Sequence, residues 1–247
     1  VPVAIGVIAV LAVLASALPA AWSRRLLPPS IQATDFSGSL WHGAAGKLVV
    51  NGRDAGAVEW RLHPGELLHL RMGVDATWAL GDFSLAASGT LGPRGFTAKP
   101  LHGGGPIEAI SGLTGFAGWH GNVTVALDEV TAGFDRLNTL HGEIRVADLH
   151  AANVGDDASL GGYVLHFDDA GANGDGAISA QISDDGGPLQ AHGIVTLTPQ
   201  SHTGMLSATL RERPAATPAL RKSLEDLAQL RSRDAEGRIP LEIEFAW

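Results

Sequence analysis

Ten histidines and a set of adjacent carboxylates are the residues of this chain whose types could do chemistry. The acidic pairs are Asp128-Glu129, Asp156-Asp157, Asp168-Asp169 and Asp184-Asp185. Two carboxyls facing across a cleft would suit glycoside hydrolysis, one as acid and the other as base or nucleophile. These pairs mostly sit at strand ends beside glycine, where turn carboxylates stay solvated. His63 and His69 flank Pro64-Gly65, but no H-x-H or H-x-x-x-H pair and no cysteine accompanies them to build a metal site. Asp169 to Gly176 reads D-A-G-A-N-G-D-G, which has the look of a calcium loop yet lacks the acid at its third position and the closing glutamate. Nucleophile elbow, phosphate loop and H-E-x-x-H are all missing from the sequence. The sequence therefore predicts no catalytic residue, no cofactor and no metal ligand.

The elements that would have to position these residues are strands. The chain has 247 residues and 32 glycines, the glycines falling between apolar alternating runs, which implies many tight turns. A formal charge of −9 excludes a nucleic-acid binder, which would need gathered lysine and arginine. Val58, Trp60 and Leu62 alternate with Glu59, Arg61 and His63, giving a strand with one dry face. Leu68, Leu70, Met72, Val74, Ala76 and Trp78 continue the pattern as one long strand. The same period recurs from Phe83, Val123, Tyr163, Ile178, Leu206 and Leu241, for roughly ten to twelve antiparallel strands in all. Leu91-Gly92-Pro93, His102-Gly103-Gly104-Gly105-Pro106, Asn173 to Gly176 and Asp184 to Pro188 read as turns. Trp41, Trp60 and Trp78, spaced by about a hairpin, predict an aromatic column in the core.

Trp41-His42-Gly43 recurs as Trp119-His120-Gly121, with echoes at Leu140-His141-Gly142 and Ala191-His192-Gly193, a pattern that fits glycine bulges at strand starts. Two similar halves would divide near residues 105–112. After the N-terminal segment one helix is predicted, capped by Thr217 with Pro218 in its first turn, carrying Leu220, Leu224, Leu227 and Leu230 on one face and stopped by Gly237. The fold class is mostly β: strongly curved or sandwich-like, because so many one-sided strands must hide their apolar faces.

Val3 to Trp22 carries no charge and spans about 30 Å as a helix, the thickness of a bilayer core. Val3, Ile5, Val7, Ile8, Val10, Leu11, Val13, Leu14 and Leu18 would face lipid, with Trp22 at the interface and Arg24-Arg25 beyond it. Ala15-Ser16-Ala17 also fits the cleavage site of a signal peptide. The expected organisation is an anchor over 1–23, a stalk over 24–33 and a β domain over 34–247.

Ser37 to Leu70 carries a resemblance. G-S-L-W-H-G, then V-E-W-R-L, then H-P-G-E-L-L resembles the N-terminal signature of the type II secretion system protein N family, at Gly38, Leu40, Trp41, Gly43, Trp60, Leu62, Pro64, Leu67 and Leu68. Ser39 stands where that family usually has threonine. Gly187 to Leu197 is the only later stretch that is similar. The resemblance implies a non-enzymatic accessory component of the secretion machinery. It would sit in the bacterial inner membrane with its C-terminal domain in the periplasm, and link the inner-membrane platform subunits with the outer-membrane secretin by protein contacts. That orientation differs from what Arg24-Arg25 alone would give, which is a cytoplasmic domain. An alternative from another class is a periplasmic β-groove protein that binds or carries lipid between membranes.

Overall fold

The computed structural model describes residues 19–27, 30–65, 70–115, 117–133, 137–152, 158–170, 177–198, 200–201 and 203–246. The alternating runs form one antiparallel sheet of fourteen strands. Its first half comprises β1 (Ile31–Gly38), β2 (His42–Val50), β3 (Arg53–Asp54), β4 (Ala57–His63), β5 (Met72–Leu80), β6 (Phe83–Gly92) and β7 (Gly95–Pro106). Its second half comprises β8 (Trp119–Ala132), β9 (Leu137–Ala151), β10 (Ser159–Ala170), β11 (Ile178–Asp184), β12 (Leu189–Thr198), β13 (Thr203–Glu212) and β14 (Ile239–Ala246). Spatial order follows sequence order throughout, except that the two-residue β3 pairs only with β2. The sheet is a meander with β1 and β14 at its edges.

Directly opposed residues share a face. One row crosses seven strands as Trp78, Leu85, Gly103, Val125, Ile144, Leu165 and Ile182. The adjacent row, on the opposite face, reads Thr77, Ala86, His102, Ala126, Glu143, His166 and Gln181. One face is thus apolar and the other largely polar. The central cluster of Ala98, Val125, Leu127, Val130, Leu140, Phe167, Ile178 and Ala180 consists of strand residues alone, and Ile178 and Ala98 are fully buried. With no helix over them, the strands themselves must supply the cover, so the sheet curls. Ala246 of the last strand accordingly lines one cavity with Leu48 and Val50 of β2.

Among the described residues two α-helices accompany the sheet, where the sequence predicts one. The unforeseen helix, α1 (Ile107–Thr114), follows Pro106 directly, buries Ile107 and ends at Gly115 in the left-handed conformation, whose N–H donates to the Ser111 carbonyl. Eight residues including Gly112 carry too little intrinsic propensity to be read as a helix, and packing on β8 decides the matter. His102 to Pro106, expected as a turn, instead completes β7. Gly103, Gly104 and Gly105 hold φ of 149–156°, and a Cβ at Gly104 would collide with the Val123 carbonyl of the neighbouring strand. Only glycine fits this part of the ladder.

The second helix, α2 (Pro218–Leu230), starts as predicted: the Leu220 N–H donates to Thr217 Oγ1 at 3.2 Å, with Pro218 in the first turn. It ends at Arg231 in extended conformation, not at Gly237, which sits in a later turn donating to the Asp234 carbonyl. Leu220 and Leu224 bury against Leu160, Tyr163, Leu189 and Ile239, so α2 closes one end of the curled sheet. The Tyr163 hydroxyl donates to the Leu160 carbonyl at 2.8 Å, and burial pushes its pKa up.

A short 3₁₀ helix, Ala20–Leu26, packs on β1 and β2, and β1 begins at Ile31, inside the span expected as a stalk. Among the described residues no helix is long and apolar enough to cross a membrane. The expected lipid-facing positions from Val3 to Leu18 lie outside those residues. Trp22 lies within the 3₁₀ helix, half exposed.

Candidate functional site

The motif residues converge on one turn. Gly38, at φ 79°, reverses the chain after β1, and the Ser39 N–H donates to the His42 carbonyl at 2.8 Å. The Trp60 indole N–H donates to the Leu40 carbonyl at 2.8 Å, and the Leu62 N–H donates to the Trp41 carbonyl at 2.7 Å. A Cβ on Gly43 would stand 2.6 Å from the Trp60 ring and 2.9 Å from the Ala20 methyl, so a bare backbone here lets the 3₁₀ helix lie against the indole. Pro19 bridges Ser39. Thus Gly38, Leu40, Trp41, Gly43, Trp60 and Leu62 form the seat onto which the N-terminal segment feeds. Pro64 ends β4, while Leu67 and Leu68 lie outside the described residues. Trp60 and Trp78 do not stack on each other: Trp60 meets Phe36 edge-on at 6.5 Å, and Trp78 meets Phe83 at 5.7 Å.

The chemistry-bearing side chains disperse. His63 pairs with Asp75 at 2.7 Å, His120 with Glu108 at 2.7 Å and His166 with Asp168 at 2.8 Å, all well exposed. Sequence-adjacent acids find separate partners. Glu129 takes Lys99 while Asp128 takes His141, and Asp184 takes Arg213 while Asp185 takes Arg145. Asp156, Asp157 and residues 171–176 of the calcium-like loop lie outside the described residues. Among the described residues no group of three His, Asp or Glu could hold a metal ion. The His63 hydrogen bond, aided by Ser88, holds the Asp75 carboxyl below its ordinary range. Glu108 is also held low, first by its own backbone N–H and then by His120. Asp184, only 2% exposed at its side chain, lies 2.6 Å from Arg213.

The histidine-glycine repeat proves to be two devices. Gly121 and Gly142 have positive φ beside breaks in the β8–β9 register, as bulges require. Gly43 and Gly193 sit in unbroken ladders.

The edges are where the sheet can meet another chain. In β1, Asp35 at φ 56° interrupts the pairing between Thr34 and Phe36. In β14, Pro240 has no N–H, and the Glu242 carbonyl already accepts from Arg231 Nη2 at 3.2 Å. These positions, two apart, present their backbones alike, so the first half of this edge is a poor template for an incoming strand. Beyond Glu242, Ile243 and Phe245 are about 40% exposed, with Glu244 between them on the other face. The alternation of Leu241, Ile243 and Phe245 was legible as a strand; that it is an edge strand was not. Beside this strand's end, a cavity of about 740 Å³ is lined by Leu48, Val50, Ala55, Trp78, Leu113 and Ala246 together with Asn51, Arg53, Thr114 and Gly115.

The motif residues thus form a tryptophan-locked turn in a curled one-sheet meander, with the ionisable side chains dispersed around it. Residues 29–242 match the family described as Type II secretion system (T2SS), protein N, and the chain belongs to that family. It is a component of the type II secretion machinery. No curated protein and no solved structure matches it significantly.

Proposed function

We propose that the protein is a non-enzymatic scaffold held in the inner membrane by its N-terminal segment, with the β domain in the periplasm. There it links the inner-membrane platform subunits with the outer-membrane secretin through protein contacts. Family membership supports this reading, and the half-open β14 edge is the single structural observation that carries it. A strand added there would gain ladder hydrogen bonds from Glu244 onward and bury two apolar side chains. The chain has no cysteine, so a single cysteine at Glu244 can carry a photocrosslinker in the native host. Crosslinks to platform or secretin subunits from this position, absent from a control at Gln32, support the scaffold. Crosslinks to neither sink it.

The lipid-carrying reading has an observation of its own in the largely apolar cavity beside Trp78 and Leu113. Protein extracted in mild detergent would then carry about one or more lipids per chain, displaced when Ala55 is replaced by tryptophan. A lipid-free protein removes this reading.

A further inference from the structure

In a meander, alternate turns lie at the same end of the sheet. The β1–β2, β4–β5 and β6–β7 turns therefore share one rim, and the Pro19–Ser39 bridge brings the N-terminal segment in at that rim. From the β1–β2 turn to the β6–β7 turn is about 15–20 Å at ordinary strand spacing.

Exposed apolar and basic side chains meet on this rim. Leu70 does not continue the strand as its alternation predicts; it stands at φ 56°, just before β5, and is 74% exposed. Leu91, at the end of β6, is also partly exposed. Arg71 and Arg94 are exposed and have no ionic or hydrogen-bonding partner among the described residues, in a chain whose net charge is −9. Between them opens a polar cavity of about 890 Å³, where Thr90, Thr97 and Lys99 also reach the surface, Lys99 being shared with Glu129. A leucine turned out of its strand, beside threonine hydroxyls and two guanidiniums without a partner among the described residues, is a poor surface for water. It is a good one for a bilayer interface, where the apolar side chain enters the acyl boundary and the guanidiniums meet phosphates.

We propose that the rim carrying Leu70, Arg71 and Arg94 rests on anionic phospholipid headgroups of the bilayer that the N-terminal segment enters, holding the sheet upright on it. This rests on the anchored reading of residues 3–22.

The test uses the full chain in nanodiscs of phosphatidylcholine, with or without phosphatidylglycerol, containing headgroup spin-labelled lipid. Single cysteines carrying a fluorophore are placed at Pro93 in the rim, at Asp82 in the β5–β6 turn at the opposite end, and at Val10. Quenching at Pro93 should exceed that at Asp82 several-fold in anionic discs. It should fall when Leu70→Ser or Arg71→Glu with Arg94→Glu is introduced, and also when the unmutated rim is put in high salt, while quenching at Val10 stays constant. Quenching at Pro93 no greater than at Asp82, with Val10 quenched, overturns the rim contact alone. An unquenched Val10 overturns the anchored reading and the rim contact with it. The salt series decides the matter should the arginine variants not fold.

Discussion

Trp60 and Leu40 are joined by a 2.8 Å hydrogen bond from indole to carbonyl, across a turn from which Gly43 has withdrawn any side chain. The bond fixes the turn, and the bare glycine admits Ala20 beside the ring.

Replacing Gly43 with alanine puts a methyl 2.6 Å from the ring and 2.9 Å from the Ala20 methyl, where nothing can yield cheaply. The expected loss is about 1–3 kcal/mol, together with faster proteolysis between residues 22 and 27. Trp60→Phe removes both the donor and the part of the ring that packs on Gly43, at about 1–3 kcal/mol. Thermal melts and limited proteolysis check both; an unchanged digestion pattern in G43A means that the 3₁₀ helix is not held by this contact.

Arg213→Ala removes the closest partner of the Asp184 carboxylate, whose side chain is 2% exposed, and leaves it only the Gly186 N–H and His192. The guanidinium is itself one-third exposed, so the cost should be about 2–3 kcal/mol, below the figure for a fully buried pair. Urea unfolding of R213A against R213A/D184N measures it, and the double variant should recover most of the loss.

Pro240→Val restores a missing N–H to the β14 edge. Larger species should then form at equal concentration compared with the natural sequence, because a blunted edge has been made a better template. Light scattering in detergent reads the change. Equal masses for the two proteins would show that Arg231, and not Pro240, guards this strand.

Acid should weaken the fold through Asp75 and Glu108. Both have folded-state pKa values depressed below the ordinary 3.8 and 4.5. Their contribution is fully present above those values and is lost as pH falls through the lower, folded ones. Stability should therefore hold from neutral pH to about 5 and decline below about 4, and Asp75→Asn with Glu108→Gln should flatten the decline. Both sites are well exposed, so the effect is small and best seen as a shift in unfolding midpoint.

Strand positions were legible because a period of two survives wherever one face is dry, as at Val58, Trp60 and Leu62. Legibility failed where glycine, proline and leucine departed from their usual roles. His102 to Pro106 has the composition of a turn, yet three glycines at positive φ can also keep a ladder going. Leu70 fits its alternation and still leaves the strand, because a single residue at positive φ ends the pairing. The family seat around Trp41 and Trp60 was visible as spacing, but its purpose became clear only with Ala20 against Gly43. Edges carry little sequence mark: Pro240 is compatible with an edge, and the strand order identifies β14 as one.

Because each long strand pairs with the one preceding it, none has to wait for a distant partner to be synthesised. Low contact order of this kind favours quick, local assembly. The sheet can be laid down in the order in which the chain emerges from a ribosome or translocation pore, each new strand covering the edge left by the last. On that path β14 follows all the other strands and α2 comes immediately before it, so the end of the sheet is closed only once β14 has emerged.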